Sequence, residues 1–100
     1  MNINWTPTAR KTYFHVLDYL EKTWTEKEIQ NFINEVENLL DQIAKNPEMF
    51  KKSRKKKNIR KGFITKHIAL YYRVMPKKKE LQLLLFWDNR QDPNKLNLQK

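Results

Sequence analysis

Three arginines follow residue 58, Arg60, Arg73 and Arg90, and a histidine, His67, stands between the first two. These residue types suit a phosphate. A guanidinium keeps its charge and offers a rigid fork of donors that grips phosphate at two points. A converged set of three would position a phosphodiester and stabilise the charge that builds in its transition state. Cleavage of RNA by its own 2′-hydroxyl needs little more than positioning, charge stabilisation and modest acid–base help. His67 is the proton-transfer candidate, because imidazole titrates near neutrality. Tyr71 and Tyr72 offer flat faces on which a base can stack. Each residue also has a plainer reading. Arg73 can pair with Glu80 across a hairpin, Arg60 can belong to the neighbouring lysine run, His67 can be a surface turn residue and Tyr72 can be core. Arg90 is different, because it follows the apolar run Leu83–Trp87 inside the polar cluster Asp88-Asn89-Arg90-Gln91-Asp92, which no core requires, and Pro93 closes the cluster.

The arginines sit in or beside an unusual distribution of charge. The net charge of +10 is concentrated in one stretch. Residues 1–48 carry 5 Lys/Arg and 8 Asp/Glu, residues 49–79 carry 13 Lys/Arg and no acid, and residues 80–100 carry 3 of each. A 31-residue block without a single carboxylate is the footprint of a polyanionic partner, either nucleic acid or an acidic protein surface. Lys51, Lys52, Arg54, Lys55, Lys56, Lys57 and Lys61 are the candidate contacts to RNA. The bland alternative is a solvated loop that keeps the protein soluble.

Other chemistries find little support. There is no cysteine, so neither a disulfide framework nor a thiolate metal site is expected. Two histidines, His15 and His67, are too few for an imidazole-based metal centre. The single glycine, Gly62, excludes a Gly-rich phosphate loop, and the only serine, Ser53, lies among lysines rather than in a nucleophile elbow. Neither a metal nor a cofactor is expected. No apolar run approaches the ~20 residues of a membrane span, and residues 1–11 lack a signal-peptide core. A cytoplasmic protein of one domain, residues 1–100, is the expectation.

The elements that must hold these residues follow from pattern. Asn2–Trp5 is a short strand. Thr6-Pro7 starts a helix, with threonine as cap and proline at the first helical position; Ala9, Phe14, Val16, Leu17 and Leu20 mark its apolar face, and it ends near residues 21–23. Thr25-Glu26-Lys27-Glu28 is a capping box. Ile29, Phe32, Ile33, Val36, Leu39, Leu40 and Ile43 follow at helical spacing until Asn46-Pro47 stops the run. The two helices form an antiparallel hairpin. After the loop at 48–57, in which Met49 and Phe50 tuck under the sheet, the period falls to two. Strands are expected at 58–64, 67–75 and 80–87, with a turn at 76–79. In the second, Ile68, Leu70, Tyr72 and Val74 face one way and Ala69, Tyr71 and Arg73 the other. The third is apolar on both faces, which suits a central position. Short links imply consecutive antiparallel pairing. The fold class is α+β, ordered β-α-α-β-β-β, with the helix hairpin packed on one face of a mainly antiparallel sheet.

This order, in a basic chain of 100 residues, resembles the RelE/ParE superfamily of type II toxin–antitoxin toxins. The opening Ile3-Asn4-Trp5-Thr6-Pro7-Thr8-Ala9, the Asn46-Pro47 pair, the strands around Ile59-Arg60-Lys61-Gly62 and Tyr71-Tyr72-Arg73-Val74, and the closing Phe86-Trp87-Asp88-Asn89-Arg90-Gln91-Asp92-Pro93 are similar to that superfamily's motifs in order and spacing. The resemblance implies a small bacterial toxin neutralised by a cognate antitoxin. RelE-like members cleave mRNA in the ribosome, which would make Arg60, Arg73 and Arg90 the site residues and the lysine run the ribosome-docking surface. ParE-like members instead block DNA gyrase and carry no known nuclease set. The expected function is ribosome-dependent mRNA cleavage, and the alternatives are gyrase inhibition or plain nucleic-acid binding. The chain departs from the RelE pattern near Arg90: where a terminal Tyr or His acid is expected, it has Trp87, Asp88 and Gln91, which shifts the proton-transfer role to His67 or Asp88.

Overall fold

The computed structural model describes residues 1–53, 56 and 58–90. Strand β1 (Asn2–Trp5) leads into helix α1 (Pro7–Thr23), helix α2 (Glu26–Lys45), and strands β2 (Ile59–Phe63), β3 (Ile68–Met75) and β4 (Glu80–Asp88). Both helix starts follow from their caps. The Thr6 hydroxyl accepts the Ala9 N–H at 3.1 Å. Thr25 and Glu28 close the capping box, each accepting the other's backbone N–H, at 3.2 and 3.1 Å. Pro76–Lys78 forms one 3-10 turn between β3 and β4, and Lys79 leaves it in the left-handed region at φ 52°.

The sheet order is β1-β4-β3-β2. The pairs β2–β3 and β3–β4 are antiparallel, as the short links require. The N-terminal strand adds a feature that consecutive pairing does not include: β1 lies parallel to β4, with Asn2 beside Glu80 and Trp5 beside Leu83, so β4 is central. Both helices pack on one face. The core joins Ala9, Val16 and Leu20 of α1 and Phe32, Val36, Leu39 and Ile43 of α2 to Leu70, Tyr72, Leu81, Leu83 and Phe86 of the sheet. Phe14, expected on the apolar face of α1, is instead 55% exposed, and Tyr13 takes the inward place between Trp5 and Phe86, with ring centres at 5.3 and 5.1 Å. The cause is the position of the buried stripe: with Ala9, Val16 and Leu20 inward, the 3.6-residue turn puts 13 and 17 beside them and rotates 14 outward. Phe50 packs on the core as expected, whereas Met49 remains 40% exposed. Gly62 makes room for Phe50, since a Cβ there would lie 2.8 Å from the Phe50 ring.

A bulge in β4 explains why that strand is apolar on both faces. Tyr71 pairs with Leu85 but Tyr72 pairs with Leu83, which leaves Leu84 as the extra residue. Leu81 and Leu83 therefore face the helices, Leu84 and Leu85 both join a second cluster with Ile59, Ala69 and Tyr71, and Phe86 returns to the helix side.

The outer edge of β4 needs further cover, because β1 ends at Trp5, beside Leu83. Helix α1 supplies it. The Thr6 hydroxyl donates to Leu83 O at 2.6 Å, and the Phe86 N–H donates to the Thr12 hydroxyl at 2.9 Å. The Thr12 hydroxyl in turn donates to Thr8 O at 2.8 Å. Among the described residues no helix is long and apolar enough to cross a membrane.

Replacing Thr12 by alanine leaves the Phe86 N–H without its acceptor. We predict a loss of about 1–3 kcal/mol of stability, read as a lower urea midpoint, and near-normal stability in Thr12→Ser. An unchanged midpoint in Thr12→Ala would contradict the edge-covering role.

Candidate functional site

The strands pair in the expected order, yet they do not bring the three arginines together. Arg60 lies opposite Tyr72 and faces the helices. It is 9% exposed. Its Nη1 donates to Phe50 O at 2.7 Å, its Nη2 lies 3.7 Å from the exposed Glu48 carboxylate, and its Nε has no hydrogen-bond partner among the described residues. Tyr72 beside it donates to Pro47 O at 2.9 Å. Burial pushes the Tyr72 phenol up to about 12, against the opposing pull of Arg60, so the group remains a donor at any ordinary pH. Together the two side chains fasten the 47–50 segment to the sheet, and the cation of Arg60 faces backbone and glutamate.

Arg73 pairs with Ile59 on β2 and Gln82 on β4, which places it on the face away from the helices, as its strand position implies. It makes no ion pair with Glu80 or any other described residue; Glu80 pairs in register with Met75. Arg90 is at the opposite end of the sheet, just past Asp88, which pairs with Ile68 at the start of β3. Its Nε and Nη2 grip the two Asp88 oxygens at 2.9 and 2.6 Å, and its backbone N–H donates to Asp88 Oδ1 at 2.9 Å. His67 belongs to this same end, where its carbonyl accepts the Asn89 N–H at 2.7 Å. Of the four candidates, His67 and Arg90 share one end of the sheet, while Arg60 and Arg73 lie in adjacent register pairs with their side chains on opposite faces.

Arg90 and Asp88 line a cleft of about 330 Å³ whose other wall is α1, through His15, Val16 and Tyr19. The Arg90 guanidinium carbon lies 6.0 Å from the centre of the Tyr19 ring. The helix reaches this place because its threonines hold it along β4: Thr12 meets Phe86, and one and two turns later Val16 and Tyr19 meet the end of the strand. The cleft thus joins imidazole, phenol, carboxylate and guanidinium. His15 and Tyr19 escape sequence reasoning because both are exposed helix positions. Their spacing of four, which puts them on one face, is the only available signal. The electrostatics of the cleft are dominated by the Asp88–Arg90 pair. The hydrogen bond from Arg90 holds the Asp88 carboxyl below its ordinary range, partial burial opposes this, and the charges of Arg90 and His67 add to the lowering.

The basic run is tied to the sheet's outer edge. Lys52 bridges to Arg60, the Ser53 N–H donates to Ile59 O at 2.6 Å, and the Lys61 N–H reaches Lys51 O at 3.4 Å. Lys51 and Lys52 are exposed there, Lys61 is half-buried, and Lys56 is exposed. Arg54, Lys55 and Lys57, and Gln91, Asp92 and Pro93 of the closing motif, lie outside the described residues.

A mixed four-stranded sheet, its N-terminal strand parallel to the central one, with a helix hairpin on one face is consistent with a RelE/ParE-like toxin fold. A family model, the ParE toxin of the type II toxin–antitoxin system parDE, matches residues 3–93. The chain belongs to that family, and is by that membership the toxin side of a toxin–antitoxin pair, which implies an antitoxin partner. No curated protein matches it.

The Asp88–Arg90 pair predicts a pH dependence of defined sign. A carboxyl with a lowered folded pKa contributes stability above its unfolded value, about 4, and loses it as pH falls through the folded value. NMR titration should find Asp88 ionising below the usual carboxylate range in the native chain and moving up in Arg90→Ala. The stability difference between the two chains should be present at neutral pH and disappear in acid. An Asp88 titration unchanged by Arg90→Ala would contradict the assignment.

Proposed function

We propose that this toxin acts by protein contact, with DNA gyrase as its target, rather than by cutting mRNA. The observation that carries this reading is the dispersal of the cationic set. A cleavage site built on these three arginines would need them around one phosphate, whereas here Arg60 is buried and engaged with Phe50 and Glu48, Arg73 is on the other face, and Arg90 is gripped at two points by Asp88. A contact inhibitor needs none of these to converge. The gyrase target itself comes from the resemblance to ParE-like toxins. The cognate antitoxin would, on this reading, carry acidic groups that meet the basic surface.

A second reading, cleavage of ribosome-bound mRNA, is supported by the cleft, where His15 and Tyr19 stand beside Arg90 and supply proton-transfer groups that the closing motif lacks. It requires Arg90 to leave Asp88 for a phosphate.

Both readings can be tested side by side. The purified chain should block gyrase-catalysed supercoiling or accumulate gyrase-cleaved DNA, and translating ribosomes treated with it should yield no new mRNA ends. Codon-positioned mRNA cuts that vanish in His15→Ala and Arg90→Ala, with gyrase unaffected, would replace the first reading with the second.

A further inference from the structure

The face of the sheet away from the helices carries a combination that neither reading uses. Phe63 ends the edge strand β2 with 48% of its surface in solvent. Exposure alone does not distinguish it, since Phe14 is more exposed; what sets Phe63 apart is the cationic company it keeps on this face. Lys61, two residues earlier and therefore on the same face, places its ammonium 4.9 Å from the centre of the Phe63 ring and 5.6 Å from that of Tyr71. Arg73 points the same way, since it pairs with Ile59 in the alternation that Lys61 and Phe63 share. Lys51 joins them from outside. Its neighbour Lys52 bridges to the helix-facing Arg60, so by alternation Lys51 lies on the far face, next to Lys61.

Two observations select the occupant. An exposed edge strand ordinarily invites another strand, but here the backbone groups of residues 59–61 already pair with residues 51–53, so strand addition is blocked where the cations are. Across residues 49–79 there is no carboxylate, which favours a polyanion over a mixed-charge protein surface. A polyanion that also covers an exposed aromatic ring is one with accessible flat faces. Duplex DNA hides its bases in the stack; a single strand presents them.

We infer that the β2 edge is a binding surface for single-stranded nucleic acid, with Phe63 as the stacking platform for a base and Lys51, Lys61 and Arg73 as the phosphate contacts. Stacking on a sheet-borne aromatic tolerates any base, so affinity is set by the backbone charge and by the single ring. The surface lies on the opposite face from the buried Arg60 and is independent of whether the toxin acts on gyrase.

The test uses the full chain and fluorescein-labelled single strands of about 12 nucleotides, DNA and RNA of one mixed sequence, with the matching duplex as comparison. Fluorescence anisotropy should show both single strands binding, with log affinity falling linearly in log salt. Phe63→Ala should weaken binding about 5- to 150-fold at unchanged salt slope, and Phe63→Trp should retain it. Lys61→Gln should reduce the slope by about 0.7. Phe63 is half in solvent, so the alanine variant should keep the native urea midpoint. Wild-type affinity in Phe63→Ala, equal dependence on Phe63 for the duplex, or absence of single-strand binding at low salt would each overturn the inference. So would a Phe63→Ala chain that loses its antitoxin while binding single strands normally, because the ring would then belong to a protein interface.

Discussion

Two threonine hydroxyls determine where the chemistry of this molecule can lie. β1 covers only the first half of the outer edge of β4. Beyond Leu83 the strand would present backbone groups that a core cannot leave unpaired. Thr12 meets one of those groups from the helix side, the Phe86 N–H, and Thr6, whose backbone N–H already pairs with Leu83 O at 3.2 Å, adds its hydroxyl to the same carbonyl. Thr6 does so while capping its own helix, so one hydroxyl joins the start of α1 to the centre of the sheet. With α1 fixed along β4 in this way, His15 and Tyr19 are carried to the strand's end, opposite Asp88 and Arg90. The cleft is a consequence of covering an edge.

The second constraint is the bulge at Leu84. A strand of strict alternation would keep one set of side chains on one face from Glu80 to Asp88. The extra residue resets the count, so Leu83 and Phe86 both face the helices although three positions apart. Asp88 then lies on the helix side as well, where it can meet α1 and hold Arg90. The same alternation sends Arg60 inward and Arg73 outward, since they are opposite Tyr72 and Ile59, adjacent pairs of the β2–β3 ladder. Three cations that look equivalent along the sequence thus take three roles: a buried clamp on the 47–50 segment, a surface charge on the far face, and half of an ion pair at the rim.

Much of this architecture is legible in the sequence. The Thr6-Pro7 start and the Thr25–Glu28 capping box are local signals, and both form. The stripe from Phe32 to Ile43 and the period-two runs give the elements and their order. Less legible are features that depend on distant partners. The place of β1 beside β4 depends on a contact across nearly the whole chain. Phe14 and Tyr13 exchange roles because the helix is rotated by its contact with the sheet. Arg60 belongs by composition to a basic run, and only register reveals that it faces the core. His15 and Tyr19 are ordinary exposed helix residues until α1 is laid along β4. The general reason is that spacing reports which side of an element a residue shares, and packing decides what that side meets.

The structure holds the arginines apart, and our proposal is that they do not act as one phosphate site. The most direct measurement follows the arginine side-chain Nε–Hε NMR signals while the full chain is titrated with a short oligoribonucleotide. The account predicts that the Arg60 signal stays unmoved and slow to exchange while the basic face saturates. Shifts of Arg60, Arg73 and Arg90 with a common midpoint would contradict it.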